Sequence, residues 1–185
     1  MKCNRPTDRA LPNGGVLHEF VAGTLTYDVM HIEPSRGDTP AADWRRHLID
    51  DARGIRRILE HSRRIAVLGI KTEPAQPAYY VAEYTQRAGY DVIPVPVYYP
   101  DVTQILGQPV YRRVADVPGD VDMVNVFRRP KDIPAHVDDI LAKRPKSVWF
   151  QLGIRNDEAA ERFARAGIEV VQDRCLLVEL GRIGR

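Results

Sequence analysis

Short apolar runs alternate with amphipathic stretches along the chain from residue 64 onward. The apolar runs predict strands at residues 65–69, 91–95, 109–111, 121–127, 147–152 and 168–172. Between them, apolar positions at helical spacing predict helices at residues 77–88, 134–143 and 156–166. Near-continuous runs of Val, Ile and Phe are typical of parallel strands that are covered on both faces. The pattern therefore predicts an α/β fold with a doubly wound, mostly parallel sheet of the Rossmann-like class.

The segment before the first strand has two parts. Residues 40–60 place apolar side chains at helical spacing opposite an arginine-rich face, which predicts one helix entered through the Thr-Pro pair at residues 39–40. We interpret the arginines as solvated surface. Residues 1–40 are rich in turn-forming residues, with one alternating stretch at residues 20–32 that could form a strand or hairpin. We therefore expect an N-terminal extension of unassigned role, residues 1–40, and one domain, residues 41–185.

Composition narrows the class of protein. The 185 residues suffice for one buried core, and 27 basic against 25 acidic side chains are too balanced to imply nucleic-acid binding. Cys3 and Cys175 lie at opposite ends of the chain and no CxxC or Cys/His spacing is present, so we expect no metal site and a reduced, cytoplasmic setting. No apolar run approaches the roughly 20 residues of a membrane span, so we expect a soluble protein.

The segment at residues 63–95 indicates a nucleotide ligand. An apolar strand ends at Gly69, a proline-punctuated loop follows, and a helix begins at Pro77 and ends at Gly89. Such a helix start presents backbone N–H groups that commonly bind phosphate.

The residues just past each strand predict the site, because ligands of such sheets bind at the carboxyl ends of the strands where the strand order reverses. This rim carries several cations and few carboxylates, which favours a phosphorylated ligand. The candidates are Gly69, Ile70, Lys71, Thr72, Gln76, Pro77, Ala78, Tyr79, Pro96, Val97, Tyr98, Phe127, Arg128, Arg129, Pro130, Gly153, Ile154, Arg155, Asn156, Asp173, Arg174 and Cys175.

Missing motifs discriminate between nucleotides. Dinucleotide sites usually show GxGxxG and an acidic residue after the second strand that binds the adenosine ribose. Here the loop GIKTEPAQP has one glycine, and no carboxylate follows the second strand before Asp101. NAD is therefore disfavoured, whereas coenzyme A and NADP, whose riboses carry a phosphate, both remain. The P-loop GxxxxGK[ST] is also absent, so ATP hydrolysis has no support.

Five segments in order carry a family resemblance: IAVLGIKTEPAQPAYYVAEYTQRAGYDVIPV, YRRVADVP, VDMVNVFRRP, VWFQLGIRNDEAAERFARAGIEVV and DRCLLVE. Across about residues 43–180 the chain resembles the small CoA-binding proteins related to the CoA-binding domain of succinyl-CoA synthetase alpha subunits. The resemblance implies a domain that binds coenzyme A across its switch point. It maps the family's site onto residues 69–79, 94–97, 127–130, 151–156 and 173–175, which adds four candidates: Pro94, Val95, Gln151 and Leu152.

Two departures limit what the resemblance implies. Family members commonly place Asn-Pro after the VIPV segment, where this chain continues with residues 96–100, PVYYP, so the contact to the adenosine end stays open. The synthetase subunits also carry a phosphorylated histidine in a second domain, which this sequence does not contain. Ligase chemistry is therefore not implied.

Several candidate residues also have an interpretation that involves no ligand. Lys71 could contact a pyrophosphate or simply be exposed. Because successive residues leaving a strand point opposite ways, we expect only one of Arg128 and Arg129 to face the ligand. Tyr98 and Tyr99 could stack on adenine or pack against the loop.

Chemistry beyond binding has little support in the sequence. Cys175 either fills a small apolar space or forms a mixed disulfide with the ligand thiol, helped by Arg174. The five histidines show no metal spacing, and we expect His136 on a helix surface. With no nucleophile elbow GxSxG, we expect no catalytic residue.

The sequence thus predicts a protein that binds coenzyme A or an acyl-CoA and acts without catalysis, as a carrier, sensor or regulatory protein. Two alternatives remain: an NADP-dependent oxidoreductase that uses the same crevice, and an interaction module whose ligand sets its partner affinity. We expect CoA as a small-molecule partner, no nucleic-acid or membrane partner, and leave a homodimer open.

Overall fold

The computed structural model describes residues 43–185. Short 3₁₀ turns lie at Trp44–His47, Val114–Asp116 and Pro130–Asp132. The helices and strands, in chain order, are α1 (Ala52–His61), β1 (Arg64–Leu68), α2 (Pro77–Arg87), β2 (Asp91–Val95), β3 (Gln104–Ile105), β4 (Gln108–Pro109), β5 (Met123–Val126), α3 (Pro134–Lys143), β6 (Ser147–Phe150), α4 (Asp157–Arg165), β7 (Glu169–Val171) and α5 (Leu176–Arg182).

Five parallel strands form the main sheet in the order β2-β1-β5-β6-β7. Leu68 at the end of β1 lies opposite both Val95 of β2 and Val126 of β5, so three strands end at the same level. The chain first moves outward from β1 to β2 and then returns to β5 on the other side. The strand order therefore reverses between β1 and β5, which confirms the predicted doubly wound α/β fold.

Both faces of the sheet are covered, because side chains alternate between them along each strand. Ile65 and Val67 of β1 belong to one buried cluster with apolar residues of α1, α2 and α5. Ala66 and Leu68 belong to a second cluster with residues of α3 and α4. This two-sided burial explains why the strands read as near-continuous apolar runs in the sequence.

The helix predicted at residues 40–60 is confirmed at residues 52–60, where α1 lies, and is wrong at residues 43–51. After the 3₁₀ turn the backbone is extended: Leu48 forms a parallel bridge with Val170, and Ile49 N donates to Val170 O at 2.8 Å. Asp51 then starts α1, since its side chain accepts from the N–H groups of Arg53 and Gly54 at 3.0 and 2.9 Å. An aspartate caps a helix better than it continues one. The predicted cap at residues 39–40 and strand at residues 20–32 lie outside the described residues.

The predicted strand at residues 109–111 is not part of the main sheet. β3 and β4 form an antiparallel hairpin whose two turn residues, Leu106 and Gly107, both have positive φ, at 53° and 73°. Two such residues suit the twist of a two-residue hairpin turn. Tyr111 then attaches the segment to β2 by donating from N to Pro94 O at 3.0 Å.

The C-terminal helix α5 is an element that the sequence analysis did not predict. Its fully buried Leu176 and Leu180 stand four residues apart and pack with α1 and α2. Tyr84 of α2 also donates from Oη to Arg185 O at 2.6 Å. The end of the chain is thus attached to the same face of the sheet as α2.

Candidate functional site at the carboxyl edge of the sheet

The ends of β1 and β5 meet closely at Gly69. Gly69 N donates to Val95 O at 2.8 Å and Phe127 N donates to Leu68 O at 2.9 Å, so the strands stay paired to their ends. Gly69 has a φ of +86°, and an added Cβ would lie 2.5 Å from Phe127 O. Both the backbone angle and the contact therefore require glycine at the switch point.

Two cations converge on the ring of Tyr98, just beyond β2. Lys71 Nζ lies 4.2 Å from the ring centroid, and Arg128 Cζ lies 5.5 Å from it. Arg128 Nη1 also donates to Tyr98 Oη at 3.5 Å, and this contact lowers the pKa of the phenol. The three residues follow β1, β2 and β5, respectively. We call this set the Lys71–Tyr98–Arg128 cluster.

Arg128 and its neighbour Arg129 occupy different environments. The Arg128 side chain is 11% exposed, with Nη2 3.6 Å from Asp132 Oδ2, and its Nε is buried without a hydrogen-bond partner among residues 43–185. The Arg129 side chain is 67% exposed, and its Nε pairs with the same Oδ2 at 2.7 Å. That pairing lowers the pKa of Asp132 and raises the pKa of Arg129. The Lys71–Tyr98–Arg128 cluster thus contains a buried donor, Arg128 Nε, that is free for an acceptor from outside residues 43–185.

Glu73 and Tyr99 join the loops that follow β1 and β2. Tyr99 Oη donates to the Glu73 carboxylate at 3.2 and 3.0 Å, which lowers the pKa of Glu73. Thr72 Oγ1 donates to the same carboxylate at 3.1 Å. Tyr99 has a φ of +67°, which a residue with a side chain rarely adopts. The contact to Glu73 therefore helps to hold the loop after β2 in a strained conformation.

Arg112 fixes the same loop from the other side. Its guanidinium donates to the carbonyl oxygens of Tyr99, Pro100 and Val102 at 3.0, 2.7 and 2.6 Å. Three charge-assisted hydrogen bonds from one side chain are an effective way to order an irregular segment. The position of Tyr98 therefore depends on Arg112 as well as on its own contacts.

A cleft of about 270 Å³ lies next to the cluster, between the loop after β2 and the first turn of α3. Its lining consists of Pro96, Val97, Tyr98, Pro100, Arg112 and His136. His136 lies on the surface of α3, as expected, but its side chain is half-buried because it lines this cleft. Burial, and then the charge of Arg128, lower the pKa of the imidazole.

The start of α2 follows the loop after Gly69. Pro77 occupies the first helical turn, and the carbonyl of Gln76 accepts from Tyr79 N and Tyr80 N at 2.9 and 3.1 Å. Within the described residues, the Gln76 side chain makes no capping hydrogen bond. Since Pro77 has no N–H group, Ala78 N is the first-turn donor of α2 that has no acceptor among residues 43–185, and such donors attract anions.

Gln151, directly after β6, connects β5 and α5 at the carboxyl edge of the sheet. It is 4% exposed, its Nε2 donates to Asn125 Oδ1 at 2.8 Å, and its Oε1 accepts from Leu176 N at 3.2 Å. Asn125 is fully buried in β5, and its Nδ2 has no hydrogen-bond partner among the described residues. An amide donor left unpaired in a core is costly, which makes this position unusual.

The loops after β6 and β7 are tied to each other and to the fold. Gly153 N donates to Asp173 Oδ1 at 2.6 Å, and Asp173 has a φ of +55°. Arg174 donates from Nη2 to Asp50 O at 3.2 Å. Cys175 caps α5 through its backbone and is half-buried, with no disulfide to any residue in the described part of the chain.

Asn156 caps α4 with its side chain. Its Oδ1 accepts from Ala159 N at 2.9 Å, while its Nδ2 donates to Pro130 O at 2.9 Å. Both polar atoms of this predicted site residue are therefore used within the fold.

A family model described as "CoA binding domain" matches residues 63–181 of the chain. The chain belongs to the CoA-binding domain family. The resemblance drawn from the sequence is thereby confirmed for the region that contains every strand of the main sheet.

Relatives of this CoA-binding domain come from bacteria and archaea. The uncharacterized protein YneT of Bacillus subtilis is 34% identical over 124 residues, which cover 67% of this chain and 90% of YneT. The structure of cell-free ID.343 from Thermus thermophilus is 38% identical and covers 72% of this chain and 99% of its own, with a TM-score of 0.67. A hypothetical protein from Pyrococcus horikoshii OT3 is 34% identical, covers 72% and 92%, respectively, and has a TM-score of 0.67.

The structure distributes the sequence-predicted residues over four places. Those at the ends of β1, β2 and β5 are Gly69, Lys71, Thr72, Val97, Phe127, Arg128, Arg129 and Pro130. Those at the start of α2 are Gln76, Pro77, Ala78 and Tyr79. Fully enclosed side chains belong to Ile70, Pro94, Val95 and Gln151. Those beyond β6 and β7 are Leu152, Gly153, Ile154, Asn156, Arg174 and Cys175, of which Leu152 is 68% exposed.

Three residues of this edge were missed by the sequence analysis. Arg112 lies in the segment YRRVADVP, where only the family resemblance marked it. Asn125 is the one polar residue in the apolar run MVNV, a signal that could have been followed. His136 gave no usable signal, because its neighbours in the cleft come from a loop about 40 residues earlier in the chain.

A larger cavity, of about 370 Å³, lies at the opposite edge of the CoA-binding domain. It is lined by Arg57, Ile58, His61, Ser62, Lys146, Ser147 and Glu169. Its charges are already paired: Arg57 meets Glu169 at 3.1 and 2.5 Å, and Lys146 meets Asp122 at 2.6 Å. In doubly wound sheets the ligand binds at the carboxyl edge, so volume alone does not identify the site.

Within residues 43–185, every helix is too short or too polar to cross a bilayer. The same residues contain no group of three or more His, Cys, Asp and Glu side chains that could hold a metal ion.

Proposed function

We propose that this protein binds coenzyme A or an acyl-CoA at the ends of β1, β2 and β5, and that it acts as a carrier, sensor or regulatory protein rather than as a catalyst. The observation that carries the proposal is the Lys71–Tyr98–Arg128 cluster beside the switch point of a CoA-binding domain.

The phosphates of such a ligand find support at the switch point. The first turn of α2 offers the N–H group of Ala78 and the positive end of the helix dipole, and Lys71 and Arg128 add positive charge on the neighbouring loops. Arg128 Nε is a buried donor that lacks an acceptor in the described part of the chain. A phosphate oxygen is the kind of acceptor that would satisfy it.

The end of β2 suits an adenosine whose ribose is phosphorylated. Among the described residues that line the cleft next to Tyr98, none is a carboxylate, whereas Arg112 contributes a positive charge. A ribose with both hydroxyls free would call for an acidic partner at this place, and a phosphate on the 2′- or 3′-oxygen would be repelled by one. The rings and prolines of the loop provide apolar area for a base.

The non-catalytic role is supported by the use that the fold makes of its polar groups. Cys175 lies at a helix start, Asn156 caps α4, and Thr72 is bound to Glu73. Through their hydrogen bonds Asn156 and Thr72 hold loops in place, which is what a binding site requires. We further propose a reduced, cytoplasmic setting, in which Cys175 stays a thiol; light scattering on the full chain decides between monomer and homodimer.

Calorimetric titration tests the ligand. We expect heat with CoA and acetyl-CoA, weaker binding of NADP, and none of NAD; a ligand at 100 times its Kd should also stabilise the fold by about 2.7 kcal/mol. Arg128→Gln should weaken CoA binding by about tenfold or more, since a hydrogen bond to a charged group contributes about 1.5–3 kcal/mol. Arg129→Gln, in the same motif but exposed, is the matched control and should change Kd less than about threefold.

Two outcomes contradict the proposal. Absence of heat with both CoA and acetyl-CoA would contradict the proposed ligand. Tighter binding of NADP than of CoA would favour the NADP-dependent oxidoreductase. Incubation with acetyl-CoA, followed by titration of free thiol, tests the non-catalytic role. We expect the thioester to be recovered intact, and its consumption would indicate an enzyme.

A further inference from the structure

The cleft beside Tyr98 combines apolar walls with few ionisable groups. Within the described part of the chain, its lining contains two prolines, one valine and one tyrosine ring, and only Arg112 and His136 add a basic side chain. It opens at the end of β2, where doubly wound sheets hold the ribose of an adenine nucleotide. A phosphate on that ribose would therefore lie among groups that donate hydrogen bonds or carry positive charge.

His136 is placed to meet such a phosphate. It is the third residue of α3, it is half-buried, and it faces the cleft from the side opposite the loop after β2. The first turn of an α-helix also adds partial positive charge at this place.

The charged groups around His136 come from four segments. Arg128 follows β5 and Asp132 lies in the 3₁₀ turn after it, Asp139 is one turn further along α3, and Arg112 comes from the segment after β4. The remaining ionisable group of the cleft is the phenol of Tyr98, which contacts Arg128.

Both aspartates near His136 are committed elsewhere. Asp132 pairs with Arg129 at 2.7 Å, and Asp139 accepts from Val114 N at 2.8 Å and pairs with Arg113 at 3.2 Å. The imidazole therefore lies near cations and has no uncommitted anion among the residues that face it in the described chain. An anion supplied by a ligand would pair with the basic side chains of the cleft.

We infer that His136 recognises the ribose phosphate of the bound nucleotide and takes up a proton from solvent as that phosphate enters the cleft. The inference rests on the proposed function, because coenzyme A is the ligand that brings a 3′-phosphate monoester to the end of β2. The product is an ion pair between an imidazolium and a phosphate dianion.

The direction of the proton transfer follows from the charges. Without ligand, burial and Arg128 disfavour the imidazolium and keep the pKa of His136 below its ordinary value of 6.5. A dianion at contact distance reverses this balance and raises the pKa. Since the second pKa of a phosphate monoester is about 6, the ligand is already a dianion at pH 7.5 and the proton must go to the protein.

Calorimetry of the full chain at pH 7.5 in two buffers of different ionisation enthalpy, such as PIPES and Tris, counts the protons taken up. CoA and dephospho-CoA are the probes, since they differ only by the 3′-phosphate. We expect net uptake with CoA and none with dephospho-CoA, and CoA should bind about tenfold more tightly. In His136→Gln the uptake should disappear and the preference for CoA should fall below about threefold.

Two further variants keep the result interpretable. His61→Gln, at the opposite edge of the sheet, should retain the uptake and the preference of the wild type. His136→Lys supplies a permanent charge and should restore the preference for CoA without any uptake. If the loss in His136→Gln were only structural, His136→Lys would not restore the preference.

The outcomes separate this inference from the proposed function. Equal proton uptake with CoA and dephospho-CoA, or uptake that persists in His136→Gln, would overturn the role of His136 while CoA binding stands. CoA binding without any uptake would do the same. No heat with either compound would overturn the proposed function itself.

Discussion

The two edges of the parallel sheet use charged and polar side chains in opposite ways. At the amino edge, Asp122 accepts from Arg63 N and Arg64 N at 2.9 Å each and pairs with Lys146 at 2.6 Å. At the carboxyl edge, Arg128 Nε and Asn125 Nδ2 are buried with no partner among residues 43–185. One edge has its charges matched within the chain, and the other keeps buried donors without acceptors.

This difference indicates where each edge obtains its stability. Matched groups at the amino edge stabilise the fold without help, because each buried charge has hydrogen-bond partners. Unmatched donors at the carboxyl edge lower the stability of the isolated chain. A ligand that accepts hydrogen bonds from them would offset this loss. Substitutions at the two edges should therefore separate stability from binding.

Gly69→Ala should give the largest effect, because Gly69 lies where the strand ends pack together and where the ligand is proposed to bind. The substitution should therefore reduce both stability and CoA binding. The methyl group would lie 2.5 Å from Phe127 O at a φ of +86°, so either β5 or the loop must move. We expect a loss of about 3 kcal/mol in the free energy of unfolding, and loss of CoA binding. Urea unfolding and calorimetric titration measure the two.

Gly89→Ala is the matched control for Gly69→Ala. Gly89 has a φ of +93°, but an added Cβ would meet no atom of residues 43–185 within 4 Å. This variant should lose about 1 kcal/mol and keep its affinity for CoA. Equal losses in the two variants would show that the contact with Phe127 contributes nothing.

Asp122→Asn should destabilise the amino edge of the sheet without affecting the carboxyl edge. Burial would raise the pKa of Asp122, but hydrogen bonds from Arg64 N, Lys146 and Arg63 N outweigh it, and the net pKa is below its ordinary value of 3.8. The variant removes the charge that these donors bind, so we expect a loss of about 2 kcal/mol at pH 7. CoA affinity should remain that of the wild type.

The pH dependence of the Asp122 effect has a definite sign. Folded Asp122 binds a proton less readily than the unfolded chain does, so its stabilising contribution is complete above about pH 4 and disappears as the pH falls through its folded pKa. Urea unfolding at pH 7 and pH 3 should show the gap between wild type and Asp122→Asn narrowing in acid. A gap of constant size would contradict the role of the charge.

The sequence could predict the sheet better than its surroundings. The strands β1, β2, β5, β6 and β7 are apolar because helices cover both of their faces, and this burial is local enough to be visible as runs of Val, Ile and Phe. Leu48 and Ile49 instead bind Val170, more than 120 residues later, and no helical periodicity can report such a contact. Tertiary pairing therefore overrode the predicted helix.

The residues of the candidate site also fall into two groups, those that follow strands directly and those that are positioned by loops. Gly69, Lys71 and Arg128 follow strands directly, so the rule that ligands bind at strand ends was sufficient to select them. Arg112 and His136 reach the cleft through the hairpin and the first turn of α3, which depend on loop conformation. Asn156 and Ile70 were selected by position, but their side chains serve α4 and the core, respectively.

Arg112→Gln should loosen the carboxyl edge with a moderate effect on stability. The substitution removes hydrogen bonds to three carbonyl groups of the loop that carries Tyr98. Because the loop is exposed and water can replace part of these bonds, we expect a loss of about 1 kcal/mol. Hydrogen exchange at residues 97–103 should become faster and CoA should bind more weakly.

Arg113→Gln is the neighbouring control, since Arg113 pairs with Asp139 and makes no bond to that loop among the hydrogen bonds of residues 43–185. Its exchange at residues 97–103 should match that of the wild type. Similar exchange in both variants would show that Arg112 does not order the loop.

His136→Gln should give the smallest effect in the ligand-free protein, visible only as a difference in pH dependence. Because folded His136 binds its proton less readily than the unfolded chain, wild-type stability should fall as the pH decreases through 6.5, and the variant should lack this component. Urea unfolding at pH 8, 6.5 and 5 measures the difference, and parallel profiles would contradict it. Saturating CoA should reverse the sign at pH 7 to 8, because a bound dianion raises the folded pKa above the unfolded value and makes protonation stabilising.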